Sequence, residues 1–125
     1  MPVDYKDLET WKKSMELVKA CYILQKRLPV EERYGLCDQI RRAVVSIPAN
    51  IAEGHGRATN KEFAKFLGYS RGSLYEVETE VLTCVSLGYL TEIETKEVFA
   101  LIKQVAKMLN SLIKKVNDAD KRTSG

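Results

Sequence analysis

The chain has 125 residues, enough for one compact domain, and its 45% apolar and 30% charged residues describe a globular protein rather than a disordered one. Three prolines and seven glycines are few for an all-β protein with many turns. Twenty basic against 17 acidic residues give a net charge of +3, a bias too small to name a partner by itself.

The N-terminal Met-Pro-Val-Asp-Tyr-Lys-Asp is charged and has no apolar signal core. No run approaches the roughly 18 apolar residues of a membrane span. The expectation is a soluble, cytoplasmic protein with no membrane contact.

Leu8, Trp11, Met15, Val18 and Tyr22 recur at helical spacing and predict a first helix. Leu17, Cys21, Leu24 and Leu28 widen that stripe, as the helix of a multi-helix core requires. Asp7 is the expected N-cap, and Pro29 stops the helix.

The second helix carries Leu36, Ile40, Val44, Ile47 and Ile51. Pro48 lies inside it, at a cost of about 3 kcal/mol against alanine, and removes the N–H that would meet the Val44 carbonyl. A kink is expected there, with Ser46 and Asn50 near enough in sequence to help the disturbed backbone. Gly54 and Gly56 are expected to end the helix.

Thr59-Asn60-Lys61-Glu62 has capping-box spacing and opens the third helix. Phe63, Leu67, Ser70, Leu74, Val77, Val81 and Cys84 form its seam, with one polar member. Gly88 fits the left-handed position past its end. Thr91-Glu92-Ile93-Glu94 is a second capping box, followed by a seam of Val98, Ile102, Val105, Leu109, Leu112 and Val116. The connections are short, so neighbouring helices should run antiparallel. The predicted fold is all-α: an up-down-up-down four-helix bundle over residues 1–117 with a Pro-kinked second helix. Residues 118–125 should form a polar, flexible tail.

Catalytic chemistry finds little support. Cys21, Cys37 and Cys84 are far apart, and their odd number argues against a disulfide framework, leaving small core hydrophobes in a reducing compartment. His55, the one histidine, sits between glycines without a second ligand nearby, so no metal site is expected and an exposed loop position is. Gly68-Tyr69-Ser70-Arg71-Gly72 matches a nucleophile-elbow pattern, but its serine falls on a helix seam with no preceding strand. Close approach of another helix, within the chain or between subunits, explains those small residues better. Glu76 and Glu80 share a helix face, yet no Glu-x-x-His motif of a di-iron site occurs, and a solvated or paired face is the default. No phosphate loop or dinucleotide fingerprint occurs. The expectation is a protein that is not an enzyme and has no cofactor.

The charge is uneven. From Arg33 to Gly72, seven basic residues face three acidic ones, a net +4; from Ser73 to Glu97, six acidic face one basic, a net −5. Arg41, Arg42, Arg57, Lys61, Lys65 and Arg71 are the candidate nucleic-acid contacts, because guanidinium and ammonium groups suit phosphate. Internal pairing is the competing reading: Glu53 can reach Arg57 and Asp38 can reach Arg42. A basic and an acidic patch on one chain can also meet head to tail and close a ring of subunits. Trp11, Tyr5, Tyr34, Tyr69, Tyr75 and Tyr89 offer aromatic surface for such an interface.

Asp7-Leu8 with Trp11-Lys12, Tyr34-Gly35-Leu36 with Gln39-Ile40-Arg41-Arg42-Ala43, and Ser46-Ile47-Pro48-Ala49-Asn50-Ile51-Ala52-Glu53-Gly54 resemble the four-helix-bundle proteins encoded by intervening sequences of bacterial 23S rRNA genes. Lys61-Glu62-Phe63, Gly72-Ser73-Leu74-Tyr75-Glu76-Val77-Glu78-Thr79 and Leu87-Gly88-Tyr89-Leu90 extend the likeness over about residues 5 to 115. That family is similar to the accessory variability determinant of diversity-generating retroelements. The resemblance implies a homopentamer whose basic surface engages nucleic acid, RNA before DNA. The alternative it implies is a self-assembling scaffold for a protein partner such as a reverse transcriptase.

Overall fold

Four helices dominate the computed structural model, which describes residues 1–124, with side chains through Lys121. They are α1 (Glu9–Gln25), α2 (Leu36–His55), α3 (Asn60–Ser86) and α4 (Glu92–Ser124). Short 3-10 turns at Tyr5–Asp7 and Val30–Glu32 precede α1 and α2, and no strand occurs among the described residues. α2 packs on α1 and α3, and α4 packs on α3 and α1. None of the described helices is long and apolar enough to cross a membrane.

α1 departs from its sequence-based reading in two ways. Asp7 does not cap it. Asp4 caps the 3-10 turn instead, its Oδ1 accepting from the Lys6 amide at 2.9 Å. Leu8 then stands at the α1 N-cap with its side chain buried and no capping hydrogen bond. The core face is also rotated. Leu17, Cys21, Leu24 and Leu28 lie at its centre, continued by Thr10 and Ser14, while Met15 and Tyr22 are exposed and Trp11 and Val18 half-buried. The reason is the register of two polar residues. Thr10 and Ser14 complete the four-three repeat, and Ser14 satisfies its hydroxyl by donating to the Trp11 carbonyl at 2.7 Å. A count of apolar side chains passes over such members of a seam.

In α2, Ile40, Val44, Ile47 and Ile51 are buried as expected, and Leu36 is half-buried. The helix continues through Pro48 and past Gly54 to His55, with Gly56 as C-cap. Gly54 is therefore no stop signal. A Cβ there would lie 2.6 Å from Phe66 Cβ and 3.1 Å from Phe63 Cδ1, so this glycine lets α2 and α3 touch. Ser46 donates to the Ala43 carbonyl at 2.6 Å, and Asn50 donates to the Ser46 carbonyl at 2.8 Å. Both support carbonyls beside Val44 rather than the Val44 carbonyl itself.

The α3 seam is buried throughout. Thr59 caps the helix, its Oγ1 accepting from the Glu62 amide at 3.1 Å. Ser70 is fully buried and donates to the Ile47 carbonyl of α2 at 2.8 Å. Gly68 and Gly72 would meet nothing within 4 Å if they carried a Cβ, so within the chain the close approach belongs to Gly54 and not to them. Gly88 closes the helix at φ +80. Thr91 and Glu94 cap α4 reciprocally: the Glu94 amide donates to Thr91 Oγ1 at 3.1 Å, and the Thr91 amide donates to Glu94 Oε1 at 2.9 Å. The α4 seam is buried. Beyond Val116 the helix runs on to Ser124, through most of the stretch expected to be a tail; Gly125 lies outside the described residues.

Candidate nucleic-acid interface

The six candidate cations do not form one patch. Arg41 lies in the second turn of α2 and Arg57 just past its C-cap, with about 21 Å of helix between Arg41 and His55 at 1.5 Å per residue. Arg71 lies on the side of α3 that meets α4.

Arg41 is half-buried and lies along the α1–α2 connection. Its guanidinium donates to Gln25 Oε1 at 2.8 Å and to the Arg33 carbonyl at 3.2 Å, with Asp38 at 3.8 Å. These bonds tie the α1–α2 connection to α2. Arg42 points outward and is 81% exposed, but its Nε holds Asp38 Oδ2 at 3.0 Å. Arg57 pairs with Glu53 at 3.0 Å. Internal pairing, the competing reading, is therefore real for Asp38–Arg42 and Glu53–Arg57. Both pairs are exposed, and such pairs contribute about 0–1 kcal/mol, so a phosphate can displace the carboxylate.

The second cluster lies where α2 meets α3. Lys61 and Lys65 are exposed, one turn apart, and make no ion pair among the described residues. Beside them the Arg57 guanidinium covers the Phe66 ring at 4.7 Å, and Phe66 meets Tyr69 edge to face at 5.3 Å. Tyr69 is 48% exposed and stands four residues after Lys65, on the same flank of α3. Cations and an accessible ring thus share one corner. Tyr69 was named from sequence only as aromatic surface; its spacing from Lys61 and Lys65 was the signal that tied it to the cations.

His55 is half-buried rather than a free loop residue. Its Nε2 donates to the Pro2 carbonyl at 2.7 Å, and its ring meets Phe63 edge-on at 5.8 Å. It fastens the N-terminal segment beside the basic corner. Arg71 donates to Asn110 Oδ1 of α4 at 3.0 Å, away from that corner.

The acidic segment is partly occupied as well. Glu94 holds Arg27 at 3.0 Å while capping α4; the Thr91 amide and hydroxyl, more than Arg27, keep its carboxyl below the ordinary range. Glu80 breaks the expectation of a solvated or paired carboxylate. Its Oε1 is buried without a hydrogen-bond partner, and burial, reinforced by Glu76, raises its pKa to about 7. The three cysteines are free and buried; burial pushes the Cys21 thiol to about 12 and the Cys84 thiol to about 11, which suits core hydrophobes and not nucleophiles. Among the described residues, no group of His, Cys, Asp and Glu is placed to hold a metal ion.

The chain is 26% identical to a solved protein of unknown function from the S23 ribosomal protein family of Bacteroides thetaiotaomicron, with a TM-score of 0.76. That likeness covers 84% of this chain and 98% of the other. No curated protein matches the sequence. The family model described as 23S rRNA-intervening sequence protein matches residues 6–111, and the chain belongs to that family.

Proposed function

We propose that this chain is a non-enzymatic, oligomeric helical protein that binds nucleic acid, RNA before DNA, at the basic corner between α2 and α3. The observation that carries the reading is the exposed Lys61–Lys65 pair beside the accessible Tyr69 ring. Two ammonium groups one turn apart attract a phosphate backbone, and an accessible ring stacks an unpaired base. Arg57 lends charge and holds Phe66, which supports Tyr69. Arg42 sits farther along α2 as a second backbone contact. The family's description as 23S rRNA-intervening sequence proteins is the support for naming RNA before DNA.

The accompanying architecture is an up-down-up-down antiparallel bundle, with α2 bent at Pro48. The short connections and the packing of α1 against α4 support it. Self-association is supported by apolar surface on α1 and α2: Met15, Tyr22 and Val45 are each about 40% exposed. A homopentamer is the assembly the resemblance implies. The alternative function is a scaffold that binds a protein partner, such as a reverse transcriptase, without touching nucleic acid. The carboxylates that occupy Arg42 and Arg57 favour that alternative.

Fluorescence anisotropy with a short single-stranded RNA tests the proposal. Affinity should fall steeply from low to moderate salt, and Lys61→Glu with Lys65→Glu should weaken binding by roughly tenfold or more. Tyr69→Ala should weaken it further at any salt. An affinity indifferent to salt and to these changes overturns the reading. Nuclease-sensitive absorbance of the purified protein separates RNA binding from the scaffold alternative, and light scattering measures the assembly.

A further inference from the structure

The outer face of α4 carries a second concentration of positive charge. Lys96, Lys103, Lys107, Lys114 and Lys121 are all exposed. At 100° per residue they fall within about 40° of one another, opposite the buried seam, and they extend along about 38 Å of helix. Among them Ala100, Asn110 and Asn117 are exposed, while the acidic Asp118 and the aromatic Phe99, which lie at the stripe's edges, are half-buried.

A solvated helix face ordinarily mixes its charges, and α1 does so: Lys12 pairs with Glu9 at 3.4 Å and Lys13 with Glu16 at 2.8 Å. The middle of the α4 stripe does not, although Glu92 stands four residues before Lys96 and Asp118 four after Lys114. Lys103 and Lys107 are four residues apart and have no acidic residue three or four positions away on either side. Lys96, Lys103, Lys107 and Lys114 make no ion pair among the described residues. Arg71 adds to the same side, since its guanidinium reaches Asn110 at 3.0 Å. Like charges held in one line repel one another, and Lys103 and Lys107, at the middle of the stripe, have no carboxylate one turn away on α4 to offset that repulsion.

We propose that this stripe is a docking surface for double-helical nucleic acid, gripped through its phosphates. A line of charge about 38 Å long fits an extended polyanion rather than a compact ligand, and one duplex turn is about 34–36 Å. Lysine supplies point charges without the fork geometry that reads guanine, so the grip is indifferent to sequence. No ring on the stripe can stack an unpaired base, which sets it apart from the Tyr69 corner and favours the duplex over the single strand. No apolar centre is present to anchor a protein partner, and lysine is depleted from such interfaces. This surface shares with the Lys61–Lys65 corner only the class of partner; its place on the molecule, and the form of nucleic acid it takes, are different.

Anisotropy with an RNA duplex of about 20 base pairs, and with one of its strands alone, tests this surface. The variant is Lys103→Glu with Lys107→Glu; both residues are exposed, and circular dichroism verifies its helix content. Duplex affinity should fall at least about tenfold while single-strand affinity is retained, and the salt slope for the duplex should become shallower by about 2. Lys103→Gln with Lys107→Gln should fall less, in the same direction. Unchanged duplex affinity in a folded variant overturns the proposal, as does equal loss for duplex and single strand. A changed solution mass assigns the stripe to self-association and also overturns it. A parent protein that binds single strands but no duplex overturns this proposal alone; one that binds neither overturns the basic-corner reading as well.

Discussion

The Ser70 hydroxyl donates to the Ile47 carbonyl at 2.8 Å, joining α3 to α2 immediately before Pro48. Both residues are fully buried. This bond is the reason a serine stands in an otherwise apolar seam, and it disposes of the nucleophile-elbow pattern around it. A hydroxyl committed to a backbone carbonyl on a continuous helix has no base to activate it. Ser70→Ala should therefore destabilise the fold by about 1 kcal/mol, the net value of one hydrogen bond, without altering its helix content. Urea denaturation measures the change; an unaltered midpoint would mean the bond contributes nothing.

Gly54→Ala should be more damaging. The added methyl would enter space bounded by Phe66 Cβ at 2.6 Å and Phe63 Cδ1 at 3.1 Å. α2 and α3 must separate or Phe63 must move, and overpacking of this kind costs about 1–3 kcal/mol. Thermal unfolding should show a clear drop in midpoint. Gly72→Ala is the control, because its Cβ would meet open space and alanine favours the helix.

Glu80 should make stability depend on pH. Its pKa is raised to about 7 in the fold against an ordinary 4.5, mainly by burial and then by Glu76; Cys21 of α1 and Cys84 of α3 are the other ionisable groups it acts on. The folded state holds this proton more tightly than the unfolded state. The stabilising contribution is thus complete below about pH 4.5 and lost as pH rises through about 7. Glu80→Gln should gain on the order of 1 kcal/mol at pH 8, after allowance for solvent screening, and almost nothing at pH 4.5. Denaturation curves at the two pH values decide it; an equal effect at both would refute the titration.

Pro48→Ala should leave a folded helical protein. It supplies an N–H for the Val44 carbonyl and removes the ring that crowds it. If Pro48 sets the path of α2, the relation between Arg42 and the Lys61–Lys65 corner changes, and so does RNA affinity or the mass of the assembly. Circular dichroism, anisotropy and light scattering follow the three quantities. Should affinity and mass both stay constant, Pro48 is a packing feature alone.

The four helices were legible from periodicity because most of their core positions are apolar, and Thr59, Gly88 and the Thr91–Glu94 box marked boundaries that the structure keeps. α1 was read one stripe off its true face, since Thr10 and Ser14 are polar and Trp11, Met15 and Tyr22 are large and apolar. Gly54 was read as punctuation because close approach to Phe66 is a contact between helices, invisible to a local rule. The basic corner at Lys61 and Lys65 followed from their spacing, and both ion pairs of the competing reading followed from theirs. The bonds of Arg41 were not legible for a different reason: Gln25 and the Arg33 carbonyl reach it only through the turn between α1 and α2. The lysine line on α4 was fully present in the spacing of its residues, but the chain's charge as a whole conceals it.

The Glu32 carboxylate has partners on two sides: it accepts from the Leu36 amide at 3.2 Å and from the Tyr89 hydroxyl at 3.2 Å. The first bond finishes the start of α2, and the second reaches the turn between α3 and α4. Arg27–Glu94 and Arg41–Gln25 cross nearby connections. Two loops distant in sequence are thereby sewn into one polar knot, whereas around the α2–α3 turn the described links are the His55–Phe63 and Arg57–Phe66 ring contacts and the His55–Pro2 bond. The molecule accordingly has a closed end and an open end. Local opening should begin at the open one, so amide exchange around Gly56 to Thr59 should outpace that around Glu32 to Gly35, and a bound strand should slow the first without touching the second.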